Sequence, residues 1–460
     1  MRPPSPRRHP QRPTAEAESE PTRGAGTGGL ARYVAAATLA RTADGGAVVA
    51  VVLLAASSGS PGWLAGLLGA SITAPHLLGP FVARRLDTAR DGRSVIAAAC
   101  LVHGATLAAA VLLYPVVWPG VTAVPLVASG VVGPLLTGGI SSRLPAIAGP
   151  DRVSQRRAQG WDVATYGIGG TIGPTVVAVS AAWANAAVAG LILAAGTAVA
   201  AALVRLLPYG APAAEAADVP RPGTTLGLML RSGPLRRTLY LTVVVALSVA
   251  ALPVTAVAST GLLHVVPAAA AALTAAYGLG SLAGSAAVMI WPLRGQADEL
   301  TTRLALCVAA ALAAAALAPG FAFAVAAYAA AGILNSCFFA STLAARSEYS
   351  PAEARAQVFV WVGALKITAG SAGTALAGTI TATAPHAALT LAVVLTAASA
   401  VASLIDRRLR RGARARIWRR APARRAPARF FRREHHVSPR RAAVRVIGKL
   451  QPGRSAAGHR

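Results

Sequence analysis

Between residues 30 and 405 the chain alternates long apolar stretches with short polar gaps. The stretches predict helices at 31–56, 62–83, 94–117, 119–142, 159–181, 184–207, 237–260, 266–292, 302–318, 320–343, 356–383 and 386–405. A bilayer's hydrocarbon core is about 30 Å thick, so a spanning helix needs roughly 20 mostly apolar residues. Ser94–Val117 has no Asp, Glu, Lys or Arg and a single histidine, His103, and Val121–Ser142 and Ala387–Ile405 have no ionisable residue. Such runs could not stay dissolved as surface helices. The pattern predicts an all-α, polytopic membrane protein with twelve transmembrane helices.

The gaps alternate in charge. The odd-numbered connections, Ser57–Gly62, Trp118, Ala182–Trp183, Gly261–Val265, Pro319 and Pro385 with their neighbours, are short and carry no formal charge. The even-numbered connections hold the ionisable residues, including Arg84, Asp87, Arg90, Asp91 and Arg93, then Arg143, Asp151, Arg156 and Arg157. Further on come Arg221, Arg236 and Arg237, then Arg294, Asp298 and Glu299, then Arg346, Glu348 and Glu353. An excess of Lys and Arg marks the cytoplasmic face. Both termini are basic and fall on that side, which requires an even number of spans, as twelve is. The expected location is the cell membrane, with both termini cytoplasmic.

Composition agrees. The chain is 55% hydrophobic and carries 44 Lys and Arg against 16 Asp and Glu. A soluble nucleic-acid binder would share the charge but not the apolarity, so no nucleic acid is expected. Only Lys366 and Lys449 are lysines; the Arg and Ala excess reads as codon bias. Residues 1–29 lack an apolar core and read as a disordered cytoplasmic tail. Residues 406–460 carry 19 basic and 2 acidic residues, broken by Pro422, Pro427, Pro439 and Pro452. This tail is expected to be mostly disordered and to lie on anionic lipid headgroups, where each basic residue gains about 1 kcal/mol.

Pro208, Gly210, Pro212, Pro220, Pro222 and Gly223 make 208–235 a cytoplasmic linker. It separates a six-helix bundle at 30–207 from another at 236–405. Arg157-Ala158-Gln159 and Arg355-Ala356-Gln357 open the fifth and eleventh stretches, each followed by an aromatic, Trp161 or Phe359. Both stretches are then Gly-rich. A match at the place a duplication requires predicts two six-helix pseudo-repeats.

Here the chain resembles the major facilitator superfamily of transporters, over residues 30–405. Gly79–Arg93 is similar to a degenerate form of that family's loop signature: Gly79 is present, Ala83 replaces the first acidic residue, and Asp87, Arg90, Gly92 and Arg93 follow at shifted spacing. Gly169-Gly170-Thr171-Ile172-Gly173-Pro174 resembles the core of the helix-five motif of its drug and metabolite exporters. The resemblance implies a secondary transporter working by alternating access, with proton-coupled efflux of a small molecule. A non-transporting scaffold or sensor on the same body is the alternative. On physical grounds, small residues spaced four apart let helices approach closely in lipid, and Pro174 removes a backbone hydrogen bond. Gly169, Gly173 and Pro174 are therefore expected to form a packing and hinge element between the two halves. The loop residues serve either topology or a cytoplasmic gate.

Charges inside the membrane carry the sharpest functional information, since each costs roughly 2.5–3.5 kcal/mol at a helix centre. Arg41 and Asp44 share one helix face, with Asp44 about 18 Å in from Arg32 at ~1.5 Å per residue. Lys366 lies ~15 Å into the eleventh helix by the same count. These three are the expected proton or substrate pathway, with Arg41–Asp44 as a simple ion pair the competing reading. Asp162 reads as a shallow helix-start residue favoured by the helix dipole. His76 and His103 read as hydrogen-bonded core residues. The cysteines are isolated, no metal-ligand spacing or phosphate loop occurs, and no enzyme, cofactor or metal is expected.

Overall fold

The computed structural model describes residues 27–212, 214–381, 383–384 and 386–420. The expectations for residues 1–26 and 421–460 lie outside the described residues. Twelve helices are long and apolar enough to cross a membrane: α1 Gly28–Ser57, α2 Trp63–Thr88, α3 Gly92–Leu113, α4 Pro119–Ile147, α5 Arg152–Trp183, α6 Ala186–Arg205, α7 Gly233–Ser259, α8 Pro267–Ile290, α9 Ala297–Ala316, α10 Phe321–Tyr349, α11 Ala352–Thr381 and α12 Ala387–Leu409. The last helix continues to Arg420. No strand occurs among the described residues.

Most helices begin or end further out at the charged end than their apolar stretch does. Helix α5 starts at Arg152 rather than 159, and α10 runs to Tyr349 rather than 343. Hydropathy reports where the chain leaves hydrocarbon, whereas the backbone stays helical until a cap or breaker stops it. Asp151 supplies such a cap, accepting from Ser154 N at 2.8 Å. Asp91 does the same for α3, accepting from Arg93 N at 3.0 Å. The Arg93 guanidinium, hydrogen-bonded to the Asp91 carboxylate, pulls its pKa down to about 2. The linker holds a ten-residue helix, Pro222–Arg231.

The helix pairing repeats. Helix α1 packs on α5, α2 on α4 and α3 on α4; six helices later α7 packs on α11, α8 on α10 and α9 on α10. One apolar core lies within α1–α6, around Leu68, Leu107, Leu126 and Leu193. Another lies within α7–α12, around Leu241, Leu273, Leu312 and Tyr328. The outer surface is apolar too: Leu112, Val124, Leu279 and Val394 are all exposed. Trp63, Trp118 and Trp183 stand at the charge-free end, each at least 70% exposed, where amphipathic rings favour a membrane–water boundary.

Candidate functional site

Polar residues from both sixes meet around one cavity of about 180 Å³. Its lining includes Arg41 and Asp44 from α1, Thr137 from α4, Tyr166 from α5, Phe339 and Arg346 from α10, and Lys366 from α11. Arg41, Asp44 and Lys366, singled out in the sequence, are thus brought together.

Arg41 does not pair with Asp44. Its guanidinium sits 2.7 Å from the Asp162 carboxylate, both side chains at most 2% exposed. It also donates to Ser141 Oγ at 2.9 Å, to the Asp162 and Thr137 carbonyls, and to Thr165 Oγ1. The Tyr166 ring lies 3.6 Å beneath it. Asp162 in turn accepts from Tyr33 Oη at 2.6 Å and Ser141 Oγ at 2.8 Å. Asp162 is therefore no shallow helix-start residue. It stands ten residues inside α5, wholly buried, at the centre of a hydrogen-bonded network that leaves Arg41 Nε without a partner. A buried charge needs such company.

Freed from Arg41, Asp44 faces the cavity with its side chain 13% exposed. Its Oδ1 has no hydrogen-bond partner and lies 3.7 Å from His76 Nε2. Gly133 makes room for this approach, because a Cβ there would stand under 3 Å from both groups. His103 bonds Ser129 Oγ at 2.9 Å, while its Nε2 is buried without a partner. Both histidines are buried and hydrogen-bonded, as their sequence setting predicts, and His76 also abuts the site carboxylate.

Arg346 is the residue the sequence missed. It was read as a loop charge after the tenth stretch, yet it is 1% exposed inside α10. Its Nε and Nη2 are held by the carbonyl and hydroxyl of Thr342. Lys366 Nζ rests 3.6 Å over the Phe339 ring and 5.3 Å from that of Tyr166. Tyr166 and Phe339 meet edge to face, centroids 4.9 Å apart, across the two sixes.

Gly169 and Gly173 pack within the first six helices, not between the halves. A Cβ on Gly173 would fall 2.5 Å from Thr42 O and 2.7 Å from Gly46 N of α1. Helix α5 runs unbroken through Pro174. The loop motif disperses. Asp87 reaches across to the start of α11, accepting from Ala356 N at 2.9 Å and Gln357 N at 3.0 Å. Gly79 abuts Pro134, Gly92 abuts Leu86 and Arg143, and the Arg90 carbonyl accepts from Tyr209. Arg93 pairs with Asp91 and donates to Leu207 O.

The other hydrogen bonds and ion pairs between the sixes also lie at the charged end. Arg156 of α5 meets Glu348 of α10 at 2.7 Å and donates to Gly295 O, and Arg157 donates to Met289 O. Among the described residues no hydrogen bond or ion pair joins the two sixes at the charge-free end. The body is thus latched at one end.

The fold is similar to that of solved membrane transporters, one of them a major facilitator superfamily transporter. The human organic anion transporter MFSD10 superposes with a TM-score of 0.63 at 15% identity, over 81% of this chain and 99% of that one. A bacterial homologue of the iron transporter ferroportin, in an outward-facing state, gives 0.62 at 12% identity, over 82% and 98%. The transporter FucP in its outward conformation gives 0.61 at 14%, over 81% and 98%. The sequence matches no protein-family model and no curated protein.

Proposed function

We propose that the chain is a secondary active transporter that exports a small molecule in exchange for protons across the cell membrane, by alternating access. The observation that carries this reading is the charged cavity between the two sixes, latched at the basic end alone. In this reading the bundles 30–207 and 236–405 rock about the cavity, tethered by 208–235. The basic end and both termini face the cytoplasm, so the described state is closed inward. Asp87 and the Arg156–Glu348 pair then act as the cytoplasmic gate.

Asp44 is the proposed proton carrier. It is the cavity carboxylate without a firm partner, and Arg41, Tyr166, Arg346, Lys366, His76 and His103 are the charged or titratable groups around it. Rocking that alters its distance from these groups would load and release a proton. The export direction rests on Gly169–Pro174 and its likeness to exporter motifs. Organic anions and iron name two of the structural neighbours, so a shared fold leaves the cargo open.

The protein reconstituted in liposomes should show counterflow of at least one of a labelled dye cation, benzoate or a hexose. Asp44→Asn should abolish acceleration by a pH gradient yet keep exchange. Exchange of none of these cargoes counts against transport, and undiminished gradient coupling in Asp44→Asn removes Asp44 from the cycle.

A further inference from the structure

We infer that the central cavity is built for a small organic oxyanion, a carboxylate or phosphate, gripped by Arg346 and Lys366. This rests on the cavity being the transport site, and it adds the charge class of the cargo.

The argument is one of unpaired charge. Four acidic or basic side chains line the cavity: Arg41, Asp44, Arg346 and Lys366. Arg41 is neutralised from behind by Asp162. That leaves two cations facing one carboxylate, and Asp44 is itself within 3.7 Å of His76. Among the described residues no carboxylate stands within 4 Å of Arg346 or Lys366. Arg346 spends Nε and Nη2 on Thr342 of its own helix, and its Nη1 makes no hydrogen bond among the described residues. Lys366 has an aromatic face and nothing stronger.

Cations are not retained at such depth without a partner or a purpose. A cation–π contact returns only about 0.5–2 kcal/mol. A guanidinium with a free edge offers the planar fork that suits a carboxylate or phosphate, and the ammonium adds a point charge beside it. The Tyr166–Phe339 pair walls the same space. It gives an apolar body of the ligand a surface to lie on while the cations hold its head.

The charge of the cavity can be read without knowing the cargo. Gly363 lines it, and a Cβ there would meet nothing within 4 Å. Gly363→Cys is made in the full chain with Cys100, Cys307 and Cys337 replaced by Ser. Its reaction rates with sulfonatoethyl and trimethylammonioethyl methanethiosulfonate, anion and cation of similar size, are compared with those of a free thiol. The anionic reagent should be favoured roughly tenfold or more beyond the free-thiol ratio. Lys366→Gln and Arg346→Gln should each shrink that preference. Ile367→Cys gives a second vantage point should Gly363→Cys not fold, and Lys366→Gln suffices should Arg346→Gln not fold. Benzoate should protect the thiol, and benzylamine should not. A preference for the cationic reagent, reaction with neither, or protection by benzylamine alone overturns the anion assignment. The labelling does not depend on turnover. Cationic preference with intact counterflow sinks only the anion inference, and anionic preference without counterflow sinks only transport.

Discussion

Arg41 and Asp44 stand three residues apart, and their fates differ because of what lies opposite each. Arg41 meets a buried carboxylate, two hydroxyls and two carbonyls; Asp44 meets a cavity and a histidine edge. Removing one partner of a buried ion pair strands the other charge, at about 3–5 kcal/mol. Asp162→Asn should therefore lower the melting temperature of the purified protein sharply. Asp44→Asn, which removes no hydrogen bond to Oδ1, should cost under about 1 kcal/mol. The opposite ranking would show that Asp44, not Asp162, is the structural anion. Asp44 and Lys366 were legible in the sequence because they interrupt long apolar runs. Asp162 and Arg346 were not, because each falls at or past the polar edge of its apolar stretch. A charge there reads as a loop residue until the helix is seen to continue past it.

At the scale of elements, α1 and α5 touch backbone to backbone. Gly46 and Gly173 face each other there, and Thr42 O also stands where a Gly173 Cβ would go. The same closeness recurs six helices later, where Gly373 of α11 lies against the Leu247 backbone of α7. Such contacts hold helices together in lipid, where hydrophobicity gives no preference for protein over acyl chain. Gly173→Ala should push α5 off α1 and drag Asp162 from Arg41, costing on the order of 1–3 kcal/mol. Gly196→Ala on α6, whose Cβ would meet nothing within 4 Å, should be neutral or slightly stabilising. Melting temperatures of the two variants in one detergent decide this, and equal shifts would reduce Gly173 to background composition. The glycine spacing was visible in the sequence. Its partner was not, because spacing names a smooth helix face without naming the neighbour that uses it.

For the whole molecule, the contacts between sixes set which end is shut. Glu348 pairs with Arg156, a guanidinium only 2% exposed, across that divide. Glu348→Gln should weaken the latch; each 1.4 kcal/mol lost is about a tenfold shift between the two access states. A cysteine at Gly363 should then label faster from the cytoplasmic face and more slowly from outside. An unchanged ratio would make the pair a static brace. Topology itself is checked by Ser60→Cys and Arg221→Cys in a chain without native cysteines. Impermeant reagent should reach them from opposite sides, and labelling of both from one side would overturn the orientation.

The sequence alone determined the twelve crossings, the alternation of charged and uncharged ends, and the repeat after six helices. The first two follow from local rules, hydrocarbon thickness for helix length and loop charge for the alternation, and the third from the matched Arg-Ala-Gln segments. Tertiary structure decided which charges are spent and which are available. Arg41 and Asp162 are 121 residues apart, and Arg156 and Glu348 are 192 apart. Asp87 meets an amide 269 residues away. A buried charge is stabilised by whatever the fold sets within about 3 Å of it, and no local pattern carries that information.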